Sequence, residues 1–264
     1  MSVSLTIGII GGGGWLGGAI AGSIVDAGLV EPGNLSLSYR SQQPDRFPNS
    51  FWTSDNQALA DRSDVILLSV RPDDWRTLDV DADGKLVISV MAGIGLAALS
   101  QRHKTGRVVR ALPNAGAEVV RSYTPWIAAG DITEGDRAVV RAIFEACGSQ
   151  DEVATESDID YLTGLSGSGP AFPALLAAAM MRDAIARGLS AAIARRAVNT
   201  VISGAGRLLE RRDESPDDVV QTFLDYRGTT AAAIDSMRAA GFDASVAKGL
   251  SAAFQKSVSM GKVS

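Results

Sequence analysis

The sequence predicts an α/β fold in two parts, a parallel-sheet domain over residues 1–157 and an all-helical domain over residues 158–264. Three observations predict it. β-branched runs alternate with helix-compatible segments through the first half. A glycine cluster joins the first of those runs to a small-residue helix. Strand patterns then stop near Asp158, where long segments with apolar residues at helical spacing take over.

The first strand is Leu5-Thr6-Ile7-Gly8-Ile9-Ile10, and the cluster after it reads Gly11-Gly12-Gly13-Gly14-Trp15-Leu16-Gly17-Gly18-Ala19. Gly12, Gly14 and Gly17 fit G-x-G-x-x-G, with Gly8 and Gly11 also available for the turn. In this Rossmann-type arrangement the first glycine turns the chain, the second lets backbone approach a pyrophosphate and the third lets the helix pack on the strand. N–H groups at the helix start, around Trp15 and Leu16, then hold the phosphates. An ordinary glycine-rich turn is the plain alternative. Because Met1 to Val25 carries no charged side chain, a signal peptide or membrane anchor is another, but the stretch lacks a cationic start and is broken by glycines.

Asn34 to Tyr39 supplies a second strand after the breaks at Gly28 and Pro32-Gly33. Its end chooses the cofactor. An acidic residue there accepts from the ribose 2′-OH of NAD, whereas Arg40 and Ser41 offer a cation and a hydroxyl to a 2′-phosphate, which favours NADPH over NADH. Arg40 is otherwise a solvated surface arginine, since a register slip of two residues moves it off the strand end. Further strand runs are Val65 to Val70, Leu86 to Val90 and Val108 to Leu112. Three turn-forming loops follow strand ends: Val70-Arg71-Pro72, Met91-Ala92-Gly93 and Pro113-Asn114. Ligands of open α/β sheets bind beyond the carboxyl ends of strands, so these loops are expected around the nicotinamide.

The helical part reads Asp158 to Ala186, Ser190 to Arg211, Pro216 to Leu224, Thr230 to Ala239 and Asp243 to Met260. Ser190 and Ser215-Pro216 are start signals, the latter with Asp217 and Asp218 in the first turn. The Ala and Gly content permits close helix contacts, as in a core or subunit interface.

A net charge of −5 argues against nucleic acid and anionic membranes as partners. A single cysteine, Cys147, rules out an internal disulfide and fits a reducing cytoplasm. With one histidine, His103, no His/Cys metal site is expected, and its polar surroundings from Ser100 to Gly106 read as surface. No lysine lies between Lys104 and Lys248, which leaves the helical domain without a lysine acid/base for alcohol oxidation. Reduction of a C=N bond needs less, because a protonated imine accepts hydride without a strong general acid.

The run Leu165-Ser166-Gly167-Ser168-Gly169-Pro170-Ala171-Phe172 closely resembles the SGSGPAY signature of Δ1-pyrroline-5-carboxylate reductases. Arg110-Ala111-Leu112-Pro113-Asn114 is similar to their R-x-M-P-N, Val70-Arg71-Pro72 to their VKP, and Ser89-Val90-Met91-Ala92-Gly93 to their S-x-x-A-G. Gly228-Thr229-Thr230 resembles the end of their SPGGTT, followed by Gly241-Phe242 as in their GGF. The resemblance covers nearly the whole chain. It implies a Rossmann domain, a helical dimerisation domain, a homodimer or higher oligomer, and a site built between two subunits that makes proline in the cytoplasm. It also implies that Thr230 hydrogen-bonds the imine nitrogen, with Ser168, Gly228 and Thr229 shaping the substrate pocket. Capping of a helix start is the other role open to the two threonines.

One departure falls where the resemblance places substrate. Asp225-Tyr226-Arg227-Gly228 replaces SPGG, so an aspartate stands for the serine that helps hold the substrate carboxylate, and Arg227 for a glycine. Arg227 offsets Asp225 either by contacting the carboxylate or by pairing with Asp225 itself. The expected activity is NADPH-dependent reduction of a small cyclic imine. Pyrroline-5-carboxylate reduction surviving the altered loop, or NADP(H) binding without turnover, are the alternatives.

Overall fold

A computed structural model describes residues 5–211 and 214–261. The outermost ends of the two expected domains, 1–4 and 262–264, lie outside the described residues. The chain divides into two compact units, residues 1–168 with 252–264, and residues 169–251.

The first unit is built on one eight-stranded sheet. Its strands are β1 (Ile7–Ile10), β2 (Leu35–Ser38), β3 (Phe51–Thr53), β4 (Val65–Leu68), β5 (Leu86–Ser89), β6 (Val108–Ala111), β7 (Ser122–Ala128) and β8 (Gly148–Glu152), in the spatial order 3-2-1-4-5-6-7-8. All neighbours are parallel except β6 and β7. β1, β2, β4, β5 and β6 are buried along their whole length, the near-continuous apolar runs of β1, β4 and β5 being those expected of strands covered on both faces, while β2 alternates Leu and Ser and β6 carries Arg110. Ile7, Ile9, Leu37, Leu67 and Ile88 are fully buried, each contributing about 1.5–3 kcal/mol against chain entropy. Because β2 lies on one side of β1 and β4 on the other, the strand order reverses there and leaves a crevice beyond their carboxyl ends.

Two helices frame that crevice, α1 (Trp15–Asp26) after β1 and the single turn α3 (Pro72–Trp75) after β4. α2 (Asn56–Asp61), α4 (Leu96–His103), α5 (Glu134–Glu145) and α6 (Glu156–Leu162) complete the first unit with the C-terminal part of α11 (Phe242–Gly261). Thr133 and Thr155 open α5 and α6 as reciprocal capping boxes with Asp136 and Asp158.

The sheet extends beyond the strands expected from sequence. β7 carries Pro125 inside it, a residue that argues against a strand, yet Pro125 serves the ladder through its carbonyl, which accepts from Leu112 N at 3.0 Å. β8 is polar and β3 only three residues long, so neither shows an apolar pattern. The antiparallel step at β6–β7 means that the sheet is mixed rather than wholly parallel.

His103 is fully buried, contrary to the surface position its polar neighbours predict. Trp75 Nε1 donates to His103 Nε2 at 2.9 Å, and His103 Nδ1 lies 3.0 Å from the Val80 carbonyl, so the ring is spanned from both sides. The Arg102 guanidinium stacks 4.6 Å from the Trp75 ring centroid. Neighbours distant in sequence thus bury the imidazole, which local polarity does not reveal.

The second unit is helical: α7 (Ala171–Ala186), α8 (Ala191–Arg211), α9 (Pro216–Asp225), α10 (Thr229–Ala239) and the start of α11. Ser190 and Ser215 cap α8 and α9 as the sequence predicts, with Pro216 at the first helical position of α9. The helix expected from Asp158 to Ala186 is instead two helices separated by a π-turn at Thr163–Gly167 and the Gly169-Pro170 break.

Burial lowers the pKa of His103 below its ordinary 6.5, with Arg102 adding to the effect against the Val80 hydrogen bond and Asp79. Below about pH 6.5 the unfolded chain therefore binds a proton that the folded chain refuses. The stability this contributes is complete above that pH and is lost as pH falls toward the lower folded value. Thermal unfolding midpoints should drop between about pH 7 and about pH 5. His103→Gln, which can still donate to Val80 and accept from Trp75, should flatten that part of the profile; an unchanged slope would assign it to other groups.

Candidate active site

The glycine turn after β1 is forced by close packing. Gly11 has φ +87°, and a Cβ there would stand 2.3 Å from the Ser69 carbonyl oxygen at the end of β4. Gly11, one of the two extra glycines, therefore makes the left-handed turn. Its N–H donates to Ser38 Oγ at 2.9 Å and the next-but-one N–H, of Gly13, to the Ser38 carbonyl at 2.9 Å, so the end of β2 splints the turn. Gly12 packs on Leu37. A Cβ on Gly17 would lie 2.5 Å from the Gly11 carbonyl oxygen, which is the helix-to-turn approach expected of the third glycine.

A pocket of about 580 Å³ opens over this turn. From β1 and its turn it takes Ile10, Gly11, Gly13 and Gly14; from the end of β2, Ser38 to Gln42; from the end of β4, Ser69, Val70 and Arg71. Gly14, Arg40, Ser41, Val70 and Arg71 of the expected cofactor set thus meet in one cavity at the switch point. Gly14 also caps α1, which opens with no side-chain cap and no acidic residue in its first turn. The first N–H groups of α1 are left for an anion.

Sequence reasoning missed several lining residues. Ser54 and Asn56 come from the entry to α2, where Asp55 caps the helix by accepting from the N–H groups of Gln57 and Ala58. Asp74, Thr77 and Leu78 come from α3 and the residues after it. The available signal was Pro72, which starts a helix and places Asp74 in its first turn beside Arg71. The Arg40 guanidinium forms an ion pair with the Asp74 carboxylate across the pocket.

Other expected residues stand outside the lining of this pocket. Trp15 is more than half exposed and its indole N–H donates to Glu118, while half-buried Leu16 packs on the sheet core. Pro72 begins α3. Ala92 and Gly93 follow β5, Gly93 with φ +77°. Asn114 caps the 3-10 turn Ala115–Val119 and its Nδ2 donates to the Ser166 carbonyl at 3.0 Å. Arg110 on β6 is nearly buried and pairs with Glu156 at 3.2 Å and Asp160 at 2.6 Å, and Ser257 Oγ donates to Asp160 at 3.0 Å. This cluster ties the strand before the Asn114 loop to α6 and α11. Ser168 donates its hydroxyl to the Thr163 carbonyl at 3.2 Å and so closes the π-turn.

In the second unit Gly228 caps α10, with Thr229 and Thr230 as its first two residues. No side chain makes the cap, so neither hydroxyl is spent on capping. Arg227 has φ +50°, the left-handed region a glycine enters freely. A side chain thus stands in a backbone conformation that suits the glycine of the SPGG pattern. Asp225 accepts from Gln221 Nε2 at 2.8 Å, and no ion pair joins it to Arg227 among the described residues. Tyr226 is 89 % exposed at the tip.

Residues 156–260 match the family model for pyrroline-5-carboxylate reductase dimerisation, and residues 6–93 the model for NADP oxidoreductase, coenzyme F420-dependent. Pyrroline-5-carboxylate reductase of Synechocystis sp. is 31% identical over 98% of this chain and 100% of that protein. The Methanosarcina acetivorans enzyme of the same name is 30% identical over 97% of this chain and 98% of its own length. The solved pyrroline-5-carboxylate reductase of Coxiella burnetii superposes with a TM-score of 0.85 at 25% identity, covering 97% and 98% of the two chains. With full-length similarity added to the glycine turn, the switch-point pocket and the loop before α10, the chain belongs to the pyrroline-5-carboxylate reductase family.

Proposed function

We propose that this protein is an NADPH-dependent reductase of a small cyclic imine of the pyrroline-5-carboxylate class, acting in the cytoplasm on the route to proline. The observation that carries the reading is the convergence of the glycine turn, the uncapped start of α1 and the Arg40–Ser41 strand end on one pocket at the switch point. The residues fit a phosphorylated dinucleotide: the glycines clear room for a pyrophosphate, the α1 N–H groups donate to it, and Arg40 and Ser41 take the 2′-phosphate. When bound, NADPH supplies the hydride that reduces the C=N bond. Ala92, Gly93 and Asn114 would border the nicotinamide end, and the Thr230 hydroxyl oxygen would accept the N–H of the protonated imine. A hydroxyl is sufficient there because the imine takes its proton from solvent and only needs to be held.

The helical unit supports an obligate oligomer. Of the described residues in α7 to α10 only Ala194 and Val198 are buried, while Leu175, Val201 and Leu208 are at least half exposed. An apolar helical layer with so little interior of its own is completed by a second copy. Light scattering at micromolar concentration should give a dimer mass or a multiple of it. A monomer would contradict this.

NADPH should bind more tightly than NADH. Arg40→Ala should weaken NADPH selectively, by about 1–3 kcal/mol for one charge-assisted contact, in a fluorescence titration of each cofactor. Equal affinity of the unmodified protein for the two cofactors would refute the assignment.

A panel of cyclic imines with and without a carboxylate, read by loss of NADPH absorbance, tests the substrate. Asp225 carries a charge that Arg227 does not cancel, and it repels a carboxylate brought close. Asp225→Ser should raise kcat/KM for pyrroline-5-carboxylate about tenfold and leave uncarboxylated imines little changed. A parallel rise for both classes would show that the loop does not read the carboxylate.

A further inference from the structure

Among the described residues the switch-point pocket is lined by three charged side chains, Arg40, Arg71 and Asp74. Asp74 is the only acid of the three, and it holds the guanidinium of Arg40. The two partners differ in freedom. Arg40 is a long side chain, 74% exposed, on the loop after β2. Asp74 is 34% exposed and sits on a fixed turn: the Trp75 N–H donates to the Arg71 carbonyl at 3.0 Å and the Thr77 hydroxyl to the Asp74 carbonyl at 3.0 Å. The neighbouring Trp75 is anchored behind it by His103 and Arg102. A ligand phosphate that takes Arg40 can swing the arginine along its full length, whereas the backbone that carries the short Asp74 side chain stays at the pocket wall.

We propose that Asp74 is a specificity-determining residue for the cofactor, opposing a 2′-phosphate and accepting a hydrogen bond from an unmodified ribose 2′-hydroxyl. This rests on the reading of the pocket as the NADPH site. An exposed ion pair between Arg40 and Asp74 is worth little by itself. The larger effect arises in the complex, where a phosphate of about two negative charges shares one guanidinium with a carboxylate whose backbone is held at the pocket wall. A 2′-hydroxyl meets the opposite situation, because it donates to the same carboxylate as it would to the acidic residue of NAD-specific sites. Arg40 and Asp74 therefore pull cofactor choice in opposite directions, and the preference for NADPH is narrower than Arg40 and Ser41 alone would make it.

The test titrates the full chain by calorimetry with 2′,5′-ADP and 5′-AMP, which differ only in the 2′-phosphate. Asp74→Asn should raise the ratio of their affinities about tenfold, through tighter 2′,5′-ADP binding and unchanged or weaker 5′-AMP binding. Asp73→Asn makes the same change in net charge one residue away and outside the pocket lining, and should leave the ratio within about twofold. A ratio that stays constant or falls in Asp74→Asn, or rises equally in Asp73→Asn, overturns the proposal. If Arg40→Ala removes the preference for 2′,5′-ADP while Asp74→Asn leaves it intact, the NADPH reading stands and the role of Asp74 falls. Equal binding of the two probes by the unmodified protein, unaffected by Arg40→Ala, removes both.

Discussion

The contact on which the rest of the site depends is the approach of the Gly11 backbone to the end of β4. No side chain fits between Gly11 and the Ser69 carbonyl, and the turn is held from the other side by two hydrogen bonds to Ser38. With the turn set in that way, α1 starts directly beyond β1, and Gly17 can bring the helix down against it. The loops after β2 and β4 then flank one opening. A larger residue at Gly11 would displace the helix start and both strand ends together, so the placement of the first α1 amides and of Arg40 and Ser41 follows from one steric constraint.

What the sequence made legible was what local pattern encodes. The glycine spacing, the strands β1, β2, β4, β5 and β6, and the caps at Ser190 and Ser215 each follow from a few adjacent residues. Arg40 and Ser41 were readable because they close the second strand, and they line the pocket together. Three kinds of feature were hidden. β7 and β8 are strands by virtue of their neighbours, one interrupted by Pro125 and the other polar. His103 is buried by Trp75 and Val80, more than twenty residues earlier in the chain, so its polar local sequence misleads. Asp74 enters the pocket only because a one-turn helix rotates it there, and no strand-end rule points to it.

The loop from Asp225 to Gly228 separates backbone from side-chain information. Arg227 adopts the left-handed conformation for which glycine is the natural residue, at a strain of order 1 kcal/mol. The turn leads directly into α10, whose first two residues are Thr229 and Thr230. What changes is charge and bulk at the tip, through Asp225, Tyr226 and Arg227. The tip therefore differs from the SPGG pattern in charge and bulk, while Gly228 still opens α10.

The most direct measurement of the central claim follows the hydride itself. NADPH deuterated at the transferring position of the nicotinamide is incubated with pyrroline-5-carboxylate and the oligomeric protein, and the product is examined by mass spectrometry and NMR. The reading of the switch-point pocket as a reductase site predicts one deuterium in proline, at the former imine carbon, with stoichiometric loss of NADPH. NADPH bound at the site with no deuterium delivered to this or any other cyclic imine would contradict it, and would make the protein a binder of the cofactor rather than a user of it.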